Sequence, residues 1–272
     1  ITTFWGFDAT MSRRKLLSSR KPAWIRYALF AERLRRQGTL FIAVSEFLRS
    51  RLIRSGFPPD RTIVHYNGVD LAGFAPAEHD SDDLTILSVG RLVEKKGIEY
   101  LIEAFALVAT EVPEARLEIA GEGPLRRSLE QLTSQRGLSD RITFHGSLPH
   151  EVVARLMQNA SIICQPSVTA SDGDSEGLPT VVLEAAATAK PLVSTRHSGI
   201  PEIIVDGTTG FLVAEREVGA LADRLLSLLR NAELRKKMGV AGRRRVEEKF
   251  DMSKQAERLE EIYSETIASF RR

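Results

Sequence analysis

Strand-like and helix-like stretches alternate along the chain from Leu84 onward. The strand-like stretches read LTILSV, ARLEIA, ITFH, SIICQ, PLVST and GFLV, and amphipathic or apolar helical patterns stand between most of them. Strands that alternate with helices pair in parallel, because each crossover returns the chain to the same end of the sheet. We therefore predict an α/β domain with a parallel sheet covered on both faces, and with ligands at the carboxyl ends of its strands.

The pattern before Leu84 predicts a second, smaller set of elements. ITTF and LFIAVS read as strands, EFLRSRLIRSG as a helix and TIVHYNGVD as a further strand. The polar stretch APAEHDSDD has the composition of an interdomain linker. The predicted organisation is residues 1–74 as an amino-terminal part, 75–83 as a linker, 84–250 as the main domain and 251–272 as a last amphipathic helix.

Length and composition limit the class of protein. The 272 residues are 43% apolar and 27% charged, which suits a globular chain of roughly two domains at ~150 residues each. Residues 1–74 are too few for a complete domain of that size, and Ile1 already lies in a strand pattern. We therefore expect the amino-terminal domain to be incomplete and to be preceded by further sequence.

The same composition indicates a compartment. No apolar run approaches the ~20 residues that a membrane-spanning helix needs, and no signal-peptide pattern opens the sequence. The single cysteine, Cys164, lies in the apolar stretch SIIC, so no intrachain disulfide is possible. We expect Cys164 to be buried filler and the protein to be cytoplasmic.

Basic residues are concentrated near the amino terminus. The whole chain carries a net charge of +2, but residues 11–54 contain twelve Lys or Arg against two Glu, about +10 net. Apolar residues recur among them at helical spacing, at Trp24, Tyr27, Ala28, Ala31 and Leu34. This pattern suits a helix on an anionic membrane, at the inner face of the plasma membrane. The alternative is a basic face that packs on the rest of its domain. No nucleic-acid partner is expected.

The stretch SDGDSEGLPTVVLEAA, residues 171–186, concentrates the candidate chemistry. Asp172 and Asp174 spell an Asp-x-Asp, the usual trace of a divalent cation held against a diphosphate. Glu184 lies in an apolar helical pattern that offers no cation three or four residues on. A carboxylate near a helix start can be purely structural. A buried carboxylate without partners costs several kcal/mol, however, so Glu184 calls for donors from elsewhere, and a vicinal diol supplies two.

The start of this helix suits an anion. Pro179 fits the first helical position, which leaves free N–H groups around Thr180 and Val181. Glu184 then lies roughly 7 to 8 Å further along the axis at 1.5 Å per residue, and Glu176 precedes the helix in the Gly177 turn. Two carboxylates with an anion site between them match a nucleoside-diphosphate sugar.

A set of motifs in order carries a resemblance to a known family. Glu176 and Glu184 in EGLPTVVLEA, together with NGVD, VGRLVEKKG, IAGEGPLR, FHGSLP and HSGIPEIIVDGTTGFLV, resemble family 4 of the retaining GT-B glycosyltransferases. The resemblance covers about residues 40–250, and DGDSEGLP and STRHSGIPE are most similar to the branch that builds colanic acid and related exopolysaccharides. It implies two Rossmann-like domains, with residues 84–250 as the donor domain, 1–74 as a remnant of the acceptor domain and 251–272 as a helix that crosses back.

The resemblance also implies site residues. Glu176 would hold the donor sugar, Glu184 the ribose, and Arg91 and Lys96 the diphosphate. Fixed cations make a metal unnecessary, so we interpret Asp172 and Asp174 as an accidental match and expect no cofactor beyond the donor. Lys95 fits an ordinary surface cation. We expect Arg91, Lys96 and Glu176 to take part in the reaction, and the donor to contact Gly90, Arg91, Lys96, Glu176, Gly177, Leu178, Thr180, Val181 and Glu184.

The implied reaction moves a hexosyl unit from a UDP-, GDP- or ADP-sugar to a hydroxyl of a lipid-linked glycan, with retention of configuration. One departure from the family pattern favours a rival, a non-catalytic nucleotide-sugar or diphosphate binding module. The family's His-Gly-x-Asp here reads WGFD, and Trp5 in place of the histidine is either a buried replacement or a sign of impaired chemistry. A phosphorylase-like protein is disfavoured, because no lysine stands out for pyridoxal phosphate.

The five histidines give weaker signals. His145 and His197 follow predicted strands, so each either lines the site or is a satisfied structural residue. His65, His79 and His150 are expected to be bystanders. No spacing among them suggests a zinc site.

Overall fold

Two parallel sheets form the protein. The computed structural model describes residues 1–6, 13–18, 21–78 and 83–270. The smaller sheet has the strand order β1-β2-β3 and lies in the amino-terminal part. Its elements are β1 (Thr2–Phe4), α1 (Arg13–Ser18), α2 (Pro22–Gln37), β2 (Phe41–Ala43), α3 (Glu46–Arg54) and β3 (Thr62–Val64).

The larger sheet has six parallel strands in the order β6-β5-β4-β7-β8-β9. The order reverses between β4 and β7, and ligands of such sheets bind at that point. Its strands are β4 (Thr85–Val89), β5 (Arg116–Ala120), β6 (Ile142–Gly146), β7 (Ile162–Gln165), β8 (Leu192–Thr195) and β9 (Gly210–Val213). Its helices are α4 (Ile98–Glu111), α5 (Arg126–Gln135), α6 (His150–Asn159), α7 (Thr180–Ala187), α8 (Ile200–Ile203), α9 (Val218–Leu229), α10 (Ala232–Lys249) and α11 (Met252–Phe270).

The α/β prediction is confirmed, and every strand predicted after Leu84 forms. Buried apolar side chains cover both faces of the larger sheet, with α4 and α9 in one cluster and α7 in the other. Cys164 on β7 is fully buried, as expected, and burial raises the pKa of its thiol. Several short elements were not predicted, namely α1, α8 and 3-10 turns at Pro59–Arg61 and Glu94–Lys96.

The last helix returns to the amino-terminal part. Val69 donates its N–H to the carbonyl of Phe250 at 2.8 Å, and the N–H of Met252 donates to the carbonyl of Val69 at 3.1 Å. The rings of Tyr66 and Phe250 meet edge to face at 5.1 Å between centroids. The start of helix α11 is therefore joined to the amino-terminal part, and its role as a crossover helix remains a prediction. The four domain boundaries remain a prediction, and residues 79–82 of the linker lie outside the described residues.

A second contact joins the two parts through Glu202 on α8. Its Oε2 accepts from the N–H of Glu46 at 2.8 Å and its Oε1 accepts from the N–H of Phe47 at 3.0 Å. A carboxylate at a helix start satisfies free N–H groups and is favoured by the helix dipole. The acid that caps α3 thus comes from the part of the molecule that contains the larger sheet.

The structure corrects the membrane interpretation of the basic segment. The apolar face proposed to meet the membrane points inward instead, since Ala28 and Ala31 are buried and Tyr27 and Leu34 pack against the core. Leu29 and Phe30 are the large apolar residues of α2 that are exposed, at 56% and 54%. Basic residues 13–15 and 20 lie outside the residues whose side chains are described. Within the described ranges, no helix is long and apolar enough to cross a membrane.

Candidate active site

A cleft of about 530 Å³ opens beside the carboxyl ends of β4 and β7. Trp5, which follows β1, lines the cleft from the amino-terminal part of the protein. The structure brings all nine predicted donor-contact residues to this cleft, namely Gly90, Arg91, Lys96, Glu176, Gly177, Leu178, Thr180, Val181 and Glu184. They come from two segments separated in sequence, the loop after β4 and the stretch after β7 that runs into α7, which meet because β4 and β7 are neighbours.

The loop after β4 contributes the cations. Gly90 has φ +153°, and a Cβ there would lie 3.1 Å from Cε of Lys96, so the glycine leaves room for the lysine stem. Arg91 is exposed in the cleft. Across the described part of the chain, its guanidinium makes no hydrogen bond or ion pair. Arg91 is therefore free to receive an anion.

Lys96 and Glu176 form a buried ion pair. Lys96 Nζ lies 2.8 Å from Oε1 of Glu176, and the side chains are 12% and 10% exposed. Burial acts to raise the pKa of Glu176, but the ammonium groups of Lys96 and Lys95 outweigh it and hold that pKa below its ordinary value. Glu176 is therefore ionised at neutral pH.

Lys95 is not the ordinary surface cation that the sequence suggested. Its Nζ lies 3.1 Å from Oδ2 of Asp174 and 4.0 Å from Oε2 of Glu176, and its side chain is 12% exposed. The sequence offered no signal for this contact, because Lys95 and Asp174 meet only through the fold. The carboxylate of Asp174 is thereby neutralised by the protein.

The Asp-x-Asp stretch is built into its own loop. Asp172 accepts from the N–H of Asp174 at 2.8 Å, and Asp174 pairs with Lys95. Neither aspartate lines the cleft. In residues 1–6, 13–18, 21–78 and 83–270, no group of three or more His, Cys, Asp or Glu is placed to hold a metal ion. Both aspartates thus have structural partners.

Helix α7 begins at Thr180, and Pro179 occupies the cap position rather than the first helical position that the sequence predicted. The correction is small, because proline at either place leaves the following N–H groups free. No side chain of the described residues caps this helix, and Thr180 is exposed in the cleft. Uncapped N–H groups and the positive end of the helix dipole favour an anion here.

Glu184 is half-buried in the cleft without a partner among the described residues. Burial raises the pKa of Glu184, and the more distant charges of His150 and Lys96 offset only part of that effect. A carboxylate left in this state gains from any hydroxyl donor that reaches it. Glu184 lies one to two turns into α7, and its contact with the ribose remains a prediction.

The histidine that lines the cleft is not one of the two that the sequence favoured. His150, expected to be a bystander, lines the cleft and packs edge to face on Phe74 at 4.8 Å. His145 lies outside the cleft, where its Nε2 is 3.1 Å from Oε2 of Glu118. His65 Nε2 bonds the carbonyl of Gln255, which is a structural contact, and His79 lies outside the described residues. No sequence pattern indicated the position of His150, because the start of α6 comes next to the other cleft residues only through the fold.

Trp5 is exposed rather than buried. It lines the cleft with 63% of its surface accessible, which overturns the interpretation of a buried replacement. Its carbonyl lies close to Gly177, where a Cβ would be 2.0 Å from Trp5 O. Only glycine at position 177 allows the two loops to approach this closely.

Solved structures share this fold. A sucrose-phosphate synthase from Thermosynechococcus elongatus superposes with a TM-score of 0.81 at 24% identity, over 98% of this chain and 67% of that one. HepE from Anabaena, solved with UDP and glucose, gives a TM-score of 0.79 at 21% identity, over 94% of this chain and 68% of that one. The chain therefore has the GT-B glycosyltransferase fold with a partial amino-terminal domain.

Sequence comparison narrows the class to a family. Residues 73–245 match the family described as glycosyl transferases group 1, and residues 1–72 match glycosyltransferase family 4. The chain belongs to this family, as its motifs predicted. WcaL of Salmonella typhimurium, assigned to colanic acid biosynthesis as a glycosyltransferase, is 37% identical over 84% of this chain and 55% of its own length. The amylovoran biosynthesis glycosyltransferase AmsK of Erwinia amylovora is 34% identical over 96% of this chain and 63% of its own length.

The chain thus spans between half and two thirds of the length of these curated relatives.

Proposed function

We propose that this chain is the donor-binding part of a retaining glycosyltransferase of exopolysaccharide synthesis. The enzyme transfers a hexosyl unit from a nucleoside-diphosphate sugar to a hydroxyl of a lipid-linked glycan on the cytoplasmic side of the membrane. The observation that carries the proposal is the cleft itself, in which Arg91, Lys96 and the uncapped start of α7 converge between two carboxylates. The relatives named for colanic acid and amylovoran synthesis support the pathway class.

Each part of the donor has a counterpart in the cleft. Arg91, Lys96 and the N–H groups of Thr180 and Val181 neutralise the diphosphate, whose charge grows as the glycosidic bond breaks. Glu184 accepts from the ribose hydroxyls. Glu176 accepts from the hexose hydroxyls and orients the sugar. HepE, whose structure was solved with UDP-glucose, supports a donor of this class.

The reaction needs no divalent metal in this account, because fixed cations stand where the metal would act. Among the described cleft residues, no side chain is set up as a nucleophile with an adjacent base. We therefore favour attack by the acceptor hydroxyl on the face that the diphosphate leaves, with a phosphate oxygen taking the proton. The bond to the departing oxygen breaks as the new glycosidic bond forms, and configuration is retained.

Trp5 favours a second candidate function, that of a non-catalytic nucleotide-sugar binding module. Its indole stands at the cleft with 63% exposure, where the family pattern has a histidine. A turnover assay on the full-length parent protein separates the two candidates. Transfer with the natural Trp5 supports the enzyme, and tight donor binding without transfer supports the module.

Residues 1–272 alone are expected to bind the donor and not to transfer it. A reaction between two substrates needs both held in line, and this chain covers only part of the length of its relatives. Thermal shift against a panel of UDP-, GDP- and ADP-sugars identifies the donor. Radiolabelled transfer to a lipid-linked acceptor then measures activity. Absence of a shift with every donor would contradict the proposed function, and robust transfer would show that the acceptor site is already complete.

Glu184→Gln is expected to weaken nucleoside diphosphate binding by about 1 to 3 kcal/mol, because it keeps the shape and loses a charged acceptor for the ribose diol. The same nucleotide with a 2′-deoxyribose separates this role from a general effect on the cleft. Wild-type affinity should fall on removal of the 2′-hydroxyl, and the variant should lose little more. Equal losses in both proteins would contradict the ribose contact.

We also propose peripheral contact with an anionic membrane, now through a different face of α2. Leu29 and Phe30 are exposed beside Arg26 and Arg33, which combines apolar and basic groups on one side of the helix. The protein should partition more strongly onto anionic than onto neutral vesicles at low salt, and a variant with Leu29→Ser and Phe30→Ser should partition less. Equal partitioning on both vesicles would contradict this contact.

A further inference from the structure

The loop after β8 makes hydrogen bonds to the backbone of Glu176. Glu176 donates its N–H to Nε2 of His197 at 3.1 Å, and its carbonyl accepts from the hydroxyl of Ser198. Gly199 donates its N–H to the carbonyl of Gly177 at 3.1 Å. Both polar groups of the Glu176 main chain are thus held by one neighbouring loop. Without such contacts, the adjacent glycine would leave this turn free to move.

These contacts define the tautomer of His197. The ring is 1% exposed, and its Nε2 accepts from Glu176, so the proton of the neutral imidazole is on Nδ1. Nδ1 lies 2.6 Å from Oε1 of Glu215 and donates to it. The opposite tautomer, or a doubly protonated ring, would aim an N–H at the N–H of Glu176. Only the Nδ1–H form satisfies both neighbours.

Glu215 is itself held in place just after β9. Its Oε2 accepts from the N–H of Thr169 at 2.8 Å and lies 3.2 Å from Nη1 of Arg216, and its Oε1 accepts from the hydroxyl of Thr169 at 3.3 Å. Burial acts to raise the pKa of Glu215, but the hydrogen bonds from Thr169 and His197 outweigh it, so the pKa lies below its ordinary value. Glu215 is therefore an ionised acceptor that faces only donors.

We propose that His197, oriented by Glu215, is a positioning residue for Glu176. His197 does not line the cleft and so acts on the donor only through Glu176. The chain of contacts runs from a carboxylate through an imidazole to a backbone amide, and it links the loops that follow β7, β8 and β9. Its effect on the donor sugar rests on the proposed function, in which Glu176 holds that sugar.

Two substitutions at position 197 separate positioning from packing. In His197→Gln the side chain reaches the place of Nε2, so its amide oxygen can still accept from Glu176. In His197→Asn the side chain reaches only the place of Nδ1, and the N–H of Glu176 loses its acceptor. Both variants replace the same buried ring, so a difference between them reports the hydrogen bond.

A third substitution tests the orientation by Glu215. In Glu215→Gln only one of the two terminal atoms can accept, so an N–H of the amide faces a donor. The N–H of Thr169 and the guanidinium of Arg216 both face the Oε2 position, so the amide oxygen takes that place and the NH₂ faces Nδ1 of His197. An N–H opposite Nδ1 favours the Nε2–H tautomer of His197, which points its own N–H at the N–H of Glu176. Glu217→Gln is the matched control, because Glu217 is exposed and caps no helix with its side chain.

Nitrogen-15 NMR of the imidazole ring and hydrogen exchange of the Glu176 amide in the intact protein test the proposal. We expect the Nδ1–H tautomer in the wild type and in Glu217→Gln, and its loss in Glu215→Gln. Exchange at Glu176 should be roughly fivefold to tenfold faster in His197→Asn than in His197→Gln. An Nε2–H tautomer in the wild type, or equal exchange in the two His197 variants, would overturn the positioning role.

Binding measurements on the same proteins connect the contact to the donor. Affinity for the nucleoside diphosphate alone should stay within about threefold of wild type in every variant, because His197 does not touch the phosphate groups. The additional affinity conferred by the sugar should fall in His197→Asn and Glu215→Gln and persist in His197→Gln. If the wild type bound no sugar nucleotide, the proposed function would fail, while the NMR and exchange results would still decide the positioning of Glu176.

Discussion

Lys96→Met is expected to lower the free energy of unfolding by about 3 to 5 kcal/mol, because it leaves the buried carboxylate of Glu176 without its closest cation. The same change should weaken nucleoside diphosphate binding at least 30-fold, or about 2 kcal/mol, since Lys96 also lines the cleft in which we propose that the diphosphate binds. Urea unfolding measures the first effect and calorimetric titration the second. Lys237→Met is the control, because Lys237 is exposed on α10.

A double variant separates the two roles of Lys96. In Lys96→Met with Glu176→Gln, the uncompensated charge is gone, so part of the lost stability should return. Diphosphate binding should stay weak, because the cation is still missing. If the double variant were no more stable than Lys96→Met alone, the ion pair would not be the source of the stability change.

Arg91→Ala is expected to weaken nucleoside diphosphate binding by at least about 2 kcal/mol, roughly 30-fold, through loss of a guanidinium that can bond the phosphates directly. Stability should change by less than about 0.5 kcal/mol, because Arg91 is exposed and unpaired within the described residues. This separation of binding from stability distinguishes Arg91 from Lys96. Arg127→Ala, an exposed arginine on α5, is the control and should change neither quantity. Normal binding by Arg91→Ala would remove it from the donor site.

The strands of the larger sheet and the position of the cleft were predictable from sequence. Buried parallel strands such as β4 and β7 read as short apolar runs, and their carboxyl ends must meet at one edge of the sheet. That rule places Arg91 and Glu176 at the same edge of the sheet although they are 85 residues apart in the sequence. The resemblance to family 4 then assigned a part of the donor to each.

Contacts between loops distant in sequence were not predictable. Lys95 was interpreted as a surface cation, because no sequence pattern pairs it with Asp174. His150, expected to be a bystander, lines the cleft for the same reason, and His197, for which the sequence left both roles open, is buried behind the cleft. The direction of the apolar face of α2 was also open, since a helical period identifies a face without identifying what covers it.

We propose that fixed cations, and no metal ion, hold the nucleoside diphosphate in this cleft. Calorimetric titration of the diphosphate in excess EDTA, and again with magnesium or manganese, tests it on the wild type, Arg91→Ala, Asp172→Asn and Asp174→Asn. We predict equal wild-type affinity in all three buffers, near-normal binding by both aspartate variants and weak binding by Arg91→Ala. If EDTA abolished binding and the two aspartate variants failed while Arg91→Ala bound normally, the Asp-x-Asp stretch would be a metal site and the claim would be wrong.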